Sequence, residues 1–215
     1  METSVRSERS ARERILDTAS ELFYRDGYHA VGIDTIVAES GVAKMTLYRH
    51  FPSKDSLIAA YLERANADYW AWLESEISAV EDPTEKLVAA FDAVARLATS
   101  ARCLGCTFQA AASEFPDLDH AGHRVALAHK EQVLARLAEM ARAAGLRDPD
   151  GLAAQLLLLM DGAWVAARMF GPANHAGAAS EAARQLVDGH AGRRVRAVGS
   201  RSTCRGRRRS RSPLP

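Results

Sequence analysis

The sequence predicts an all-α protein, an N-terminal three-helix unit carrying a helix-turn-helix followed by a larger helical domain, about nine helices in all. Three observations predict it. Apolar residues recur three and four apart along most of the chain, the spacing that puts them on one side of an α-helix. No segment alternates apolar and polar residues convincingly enough for a strand, and no internal repeat is visible. Glycine, proline and short polar residues stand where such helices would begin and end.

Each helix has its own justification. Ile15, Leu16, Ala19, Leu22 and Phe23 form the stripe of a first helix, and Gly27 after Asp26 stops it. A short second helix is expected from about Ile33 to Ser40, broken at Gly41, and a third from about Lys44 to Phe51. Pro52 closes the third, Ser53 is placed to cap the fourth, and Asp55 sits favourably in its first turn. The long fourth helix carries Leu57, Ile58, Tyr61, Leu62, Ala65, Tyr69, Trp72, Leu73 and Ile77. Asp82-Pro83 opens a fifth through Phe91, Val94, Ala95 and Ala98. A shorter sixth follows Gly105 and ends near Glu114, before the break at Phe115-Pro116-Asp117. The seventh covers about His120 to Ala144 and stops at Gly145. Asp148-Pro149 opens an eighth that reaches Phe170, and a ninth carries Ala179, Ala182, Ala183, Leu186 and Val187.

Composition narrows the class. Of 215 residues 47% are apolar, enough for a real core and too much for a largely disordered chain. The most apolar window, Ala153 to Met160, is short, so no stretch is expected to approach the roughly 20 residues that span a bilayer. The charged N-terminus has no apolar run of the signal-peptide kind. A soluble, cytoplasmic protein with no membrane partner is expected. Three cysteines, an odd count, argue against a disulfide framework.

The net charge of +1 hides an asymmetry. Gly189 to Pro215 holds nine arginines and no acid, which leaves 19 Lys+Arg against 27 Asp+Glu in residues 1–188. Any DNA affinity of the folded part must therefore come from a local patch. The tail reads as disordered, with two readings open: a nucleic-acid-binding arm, or an appendix without a selected role. The expected division is residues 1–55, the helix-turn-helix domain; 56–188, a ligand-binding and dimerisation domain; and 189–215, the tail.

Residues 33–51 read IDTIVAESGVAKMTLYRHF, a helix, a glycine-centred turn and a second helix of about two turns. Val37, Ala38, Val42 and Leu47 are suited to pack the two helices, with Ala38 small enough to let them approach. Gly41 supplies the backbone freedom of the turn. The second helix would then show Lys44, Met45, Thr46, Tyr48, Arg49 and His50 outward, as donors to phosphates or to base edges in a major groove. Lys54 at the start of the fourth helix can reach a phosphate, helped by the helix dipole.

The stretch from Arg12 to Leu57 resembles the DNA-binding domain of the TetR/AcrR regulators. The resemblance is carried by Ile15, Ala19, Leu22, Phe23, Gly27, Ile36, Ala38, Gly41, Val42, Thr46, Leu47, Tyr48, Phe51, Lys54 and Leu57, and by the string GVAKMTLYRHFPSKDSL. Ala43 departs from the serine common in the family and removes a helix cap. Met45 stands where smaller residues are common. The resemblance implies that Lys44, Thr46, Tyr48, Arg49, His50 and Lys54 contact double-stranded operator DNA. Tyr48 and Lys54 would touch phosphate; Lys44, Met45 and Arg49 would read bases. It further implies a homodimer that a small apolar effector releases from a palindrome, more often as repressor than as activator.

The eighth helix is apolar on more than one face. Leu152, Leu156, Met160, Ala163, Trp164 and Ala167 define one stripe, while Leu158, Leu159, Val165, Ala166 and Met169 lie largely off it. Such a helix must be covered on both sides. An isologous dimer of helices eight and nine, through Leu156, Leu159, Ala163, Ala166, Ala167, Ala182 and Leu186, supplies the cover; burial within one subunit is the other reading. Trp70, Phe91, Cys106 and Phe108, with Gln109, Met140, Met160 and Trp164, are candidates to line an effector cavity, and ordinary core packing is the alternative for each.

Rival chemistries have thinner support. Cys103-Leu104-Gly105-Cys106 could be a redox pair within a sensing regulator, or simply a structural or pocket element. His120, His123 and His129 share a helix without tight metal-ligand spacing. No phosphate loop or nucleophile triad is legible, so no catalytic residue, metal or cofactor is expected. A helical enzyme or ligand carrier that happens to contain a helix-turn-helix is the competing class, and a nonspecific binder acting through the tail is a third.

Overall fold

The structure is a computed structural model that describes residues 10–191. The described residues form α1 (Ala11–Asp26), α2 (Ile33–Ser40), α3 (Lys44–His50), α4 (Lys54–Ile77), α5 (Pro83–Ala98), α6 (Thr107–Glu114), α7 (Ala121–Ala143), α8 (Pro149–Phe170) and α9 (Ala178–His190), with one 3-10 turn (Gly171–Ala173) and no strand.

The helix starts are chemically marked. Ser10 and Glu13 make a reciprocal capping box on α1. Ser53 caps α4 by accepting from the Ser56 amide at 3.0 Å, as its position predicted. Asp82 accepts from the amides of Thr84 and Glu85, both at 2.9 Å, with Pro83 in the first turn. Asp148 caps α8 from a left-handed conformation, φ 46°. Ala43 gives α3 no side-chain cap.

Two apolar clusters organise the chain. The N-terminal one joins α1, Tyr28, Val31, Ile36, Val42, Leu47 and Phe51 to Leu57, Ile58, Tyr61 and Leu62 of α4. It also takes in Phe108 and Ala111 of α6, Phe115 and Ala126. The C-terminal cluster gathers Leu73 and Ile77 with the inner faces of α5, α7, α8 and α9. The helix α4 thus serves both clusters, and α6 packs with the N-terminal one although it follows α5 in the chain.

The α8 helix resolves which stripe faces inward. Leu156, Ala163 and Ala167, expected at a subunit interface, are buried in the subunit's own core, because α5, α7 and α9 close over that side. Leu159, Ala166, Ala182 and Leu186 are half-buried. The outward stripe is instead Leu158 at 73% exposure, Val165 at 45% and Met169 at 71%, with Gly162 open between them.

Two further expectations are corrected. Pro149–Ala173 is long and apolar enough to cross a membrane by length and composition, although no eight-residue window suggested it; 39% of its most apolar stretch is buried within the subunit. Gly189 and His190 belong to α9 rather than to the tail, and Arg147 holds the helix end through the carbonyls of Gly189 at 2.7 Å and His190 at 2.9 Å. The arginine-rich segment 192–215 lies outside the described residues.

Candidate nucleic-acid interface and effector cavity

Gly41 turns the chain between α2 and α3 at φ 63°, ψ 27°, and its amide donates to the Val37 carbonyl at 3.1 Å. This is the left-handed conformation that glycine adopts without steric cost. Leu47 is fully buried and Val42 nearly so, which anchors α3 by one side. Lys44, Met45, Tyr48 and Arg49 consequently face solvent, Met45 at 80% exposure and Tyr48 at 40%. Thr46, His50 and Lys54 are half-buried. Ala38 is exposed and does not sit in the seam between the helices; Ile36 and Ser40 are the buried residues of α2.

Arg14, unmarked by any sequence signal, holds this turn from α1. Its Nη2 donates to the Ser40 carbonyl at 2.7 Å and the Gly41 carbonyl at 3.1 Å. The contact closes 26 and 27 residues apart, beyond any local pattern. Arg14→Ala is expected to lower stability by about 1.5–3 kcal/mol, the worth of hydrogen bonds from a charged donor. A urea melt reads the loss, and hydrogen exchange places it: the α3 amides should exchange faster. An unchanged urea midpoint would show that the turn holds without Arg14.

Lys44 is engaged in the free protein, its Nζ 2.6 Å from Asp34 Oδ1 on the exposed surface. Lys54 Nζ lies 3.5 Å from the carbonyl of His29. His29 in turn belongs to a clamp made by Glu114 at the end of α6. The Glu114 carboxylate accepts from the amides of Tyr28 at 3.0 Å and His29 at 2.7 Å, and the His29 ring meets the Glu114 carbonyl at 2.9 Å.

Three tyrosines complete the contact between α6 and the N-terminal helices. Tyr28 donates to the Thr107 carbonyl at 2.9 Å, and Tyr61 meets Thr107 Oγ1 at 2.8 Å. Tyr24 accepts from the Leu104 amide at 2.8 Å and donates to the Gly105 carbonyl at 3.3 Å. Burial raises all three hydroxyls, Tyr24 to about 12, so they stay protonated donors at neutral pH.

Beside this contact lies a cavity of about 360 Å³. Tyr61, Tyr69, Trp72, Phe108, His129 and Trp164 form its aromatic wall, Cys103 and Cys106 lie at the 103–106 loop, and Asp68 and Arg102 also line it. Of the eight residues expected there, Cys106, Phe108 and Trp164 line it; Cys106 also joins Gln109 along a neighbouring cleft of about 320 Å³ between α1, α6 and α8. Phe91, Met140 and Met160 are core side chains, and Trp70 turns its indole to Asn66 and Gln132. Tyr61, Tyr69, Trp72, Cys103 and His129 were not anticipated as lining residues. The spacing of the four aromatic residues on α4 and α7 matches core packing equally well, and Cys103 lies in a loop with no periodicity to read.

Cys103 and Cys106 are free thiols, and burial pushes Cys106 up, which leaves little thiolate for redox attack at neutral pH. The three α7 histidines have separate partners. His120 caps its helix, His123 meets the Phe115 carbonyl at 2.7 Å, and His129 meets Asn66 at 2.7 Å.

A buried anchor, a left-handed glycine turn and an outward helix of donors define a helix-turn-helix DNA-binding protein. The comparisons agree. The family described as "Bacterial regulatory proteins, tetR family" matches residues 15–61. A tetR-transcriptional regulator from Streptomyces avermitilis is 34% identical with a TM-score of 0.77, covering 85% of this chain and 98% of its own. A TetR-family transcriptional regulator from Streptomyces coelicolor is 35% identical with a TM-score of 0.73, covering 83% of this chain and 93% of its own. The transcriptional activator FasR of Mycolicibacterium smegmatis is 39% identical over 82 residues, which span 38% of this chain and 37% of that relative's length. The chain belongs to the TetR family of bacterial transcriptional regulators, a DNA-binding protein.

Proposed function

We propose that this regulator is a ligand-responsive repressor that binds a palindromic operator as a homodimer and leaves it when a small, largely apolar effector enters the aromatic cavity. The carrying observation is the outward face of α3, with Met45 and Tyr48 exposed over a fully buried Leu47. Lys44, Met45 and Arg49 read bases, Thr46 and His50 assist, and Tyr48 and Lys54 grip phosphates. Residues 1–55 act as the DNA-binding unit, and 56–188 hold effector and partner. The outward stripe of α8, with α9 beside it, is the surface that meets the second subunit, so that two α3 helices reach successive major grooves about 34–36 Å apart. The name of FasR favours activation as the second reading, over a match confined to 37% of that protein.

Release follows from the contacts of α6. A ligand that moves the 103–107 segment pulls on Tyr24, Tyr28 and Tyr61, and through Glu114 on the loop before α2. Effector and operator then favour different spacings of the α3 pair, which is a population shift.

Fluorescence anisotropy on the DNA flanking the regulator's own gene tests the reading. Salt-dependent binding is expected, weakened at least about tenfold by Tyr48→Ala and by Lys44→Ala. Equal affinity for unrelated duplexes, unaffected by either change, would remove it. Asp34→Asn is a finer probe, because it frees Lys44 and removes a carboxylate facing phosphate. It is expected to raise affinity by roughly three- to tenfold at low salt and to steepen the salt dependence by about one counterion. A fall in affinity would show that the pair orients Lys44 rather than restraining it.

A further inference from the structure

We propose that the aromatic cavity selects a neutral, flat molecule carrying one hydrogen-bond donor, a ring N–H or phenolic hydroxyl, and that Nε2 of His129 accepts it. This rests on the cavity being the effector site.

The indole N–H of Trp70 can only donate. It donates to Asn66 Oδ1 and to Gln132 Oε1, both at 3.0 Å, and the Asn66 amide nitrogen donates to Gln132 Oε1 at 3.2 Å. The oxygen of Asn66 is thereby fixed on the side facing Trp70 and His129. That oxygen lies 2.7 Å from His129 Nδ1, so Nδ1 must be the protonated nitrogen. The ring is 3% exposed, and burial, with the charge of Lys130 adding to it, pushes its pKa down to about 3. The second proton is therefore absent at neutral pH, and Nε2 presents a bare lone pair.

No described group donates to Nε2, and it is not sealed away either: the described buried side-chain atom enclosed without a partner is Ser100 Oγ. Nδ1 is turned to Asn66, a residue that lines the hollow between α4 and α7. Phe108, stacked on the ring at 3.6 Å between centroids, and Tyr69, edge-on at 4.9 Å, both line the aromatic cavity. The geometry points Nε2 into that cavity.

The hydroxyl groups of the inner wall are committed. Tyr61 and Thr107 bond to each other, Tyr24 is held by the 104–105 backbone, and Tyr69 donates to Met160 Sδ at 3.6 Å. Asp68 and Arg102 bring one charge of each sign and are both exposed. A neutral body with aromatic faces suits such walls. An acceptor with no other partner rejects an isostere that lacks the donor.

Calorimetric titration at pH 7.5 with indole and with benzofuran, its isostere without the N–H, tests this directly. Indole is expected to bind at least about tenfold more tightly to the wild type, and the ratio to fall to about twofold or less in His129→Phe. In the unaltered protein the ¹⁵N resonance of His129 Nε2 should shift upfield with indole and stay in place with benzofuran. That measurement stands if the variant does not fold. Equal affinities, or no shift of Nε2 on binding, would overturn the inference and leave the effector site standing. Failure of both compounds to bind at millimolar concentration would overturn the two together. Donor-selective binding that leaves operator affinity unchanged would support the inference and remove the effector role.

Discussion

Leu158→Asp combined with Val165→Asp is expected to convert a dimer into a folded monomer and to cut operator affinity by about 10²–10⁴-fold, the range lost when two linked sites bind separately. The two side chains are 73% and 45% exposed and belong to a stripe at positions 158, 162, 165 and 169, which the period of the helix aligns on one face. In an isologous interface each aspartate would meet apolar surface, and near the axis its own copy, so four charges would be buried unpaired. Neither residue is needed by the subunit's own core, so the variant should still unfold cooperatively in urea, with a midpoint that no longer rises with protomer concentration. Sedimentation reads the association state and anisotropy the affinity. Leu156→Ala is the contrasting control: Leu156 is fully buried within the subunit, and its truncation should cost about 2–5 kcal/mol of folding stability. A double aspartate variant that still sediments as a dimer would place the interface elsewhere.

A second large effect is expected in acid. His129 is held neutral, with a pKa near 3 against an ordinary 6.5, chiefly by burial. Its folded pKa is depressed, so the unfolded chain takes up the proton first as pH falls through 6.5. The stability contributed by the neutral ring is complete above pH 6.5, falls steadily below it, and is lost by about pH 3. At about 1.4 kcal/mol per unit, lowering the pH from 7 to 4.5 should cost the wild type roughly 3 kcal/mol more than it costs His129→Phe, which keeps a ring against Phe108. Urea unfolding of both proteins at the two pH values, at equal concentration, gives the difference directly. Equal losses would mean that His129 takes up its proton in the folded state. The same measurement bears on the cavity, since a neutral His129 is what makes Nε2 an acceptor.

The regularity of the chain made most of the fold legible. Asp148-Pro149, Ser53 and Asp82-Pro83 mark helix starts through groups that satisfy free backbone amides, and all three stand where they were read. The donor face of α3 was legible for a related reason: Leu47 is the apolar residue of that short helix suited to burial, and burying it turns Lys44, Tyr48 and Arg49 outward. Ala38 shows the limit of such reading, because a small apolar residue suits a seam and an exposed face equally well. Arg14 was invisible because a surface arginine carries no mark of its partner 26 residues away.

Local periodicity and the residues at helix ends by themselves determined that this chain is helical, where several of its helices begin, and which short helix offers hydrogen-bond donors. It could not decide which side of a helix apolar all round would face home: Leu156 and Leu158 are alike in chemistry, and only the placement of α5, α7 and α9 buries one and leaves the other out. Nor could it assemble the cavity, whose character depends on Trp70 orienting Asn66 and Asn66 orienting His129 across two helices. Helix formation follows from neighbours along the chain. A cavity and an outward stripe depend on distances between segments that only tertiary packing brings together.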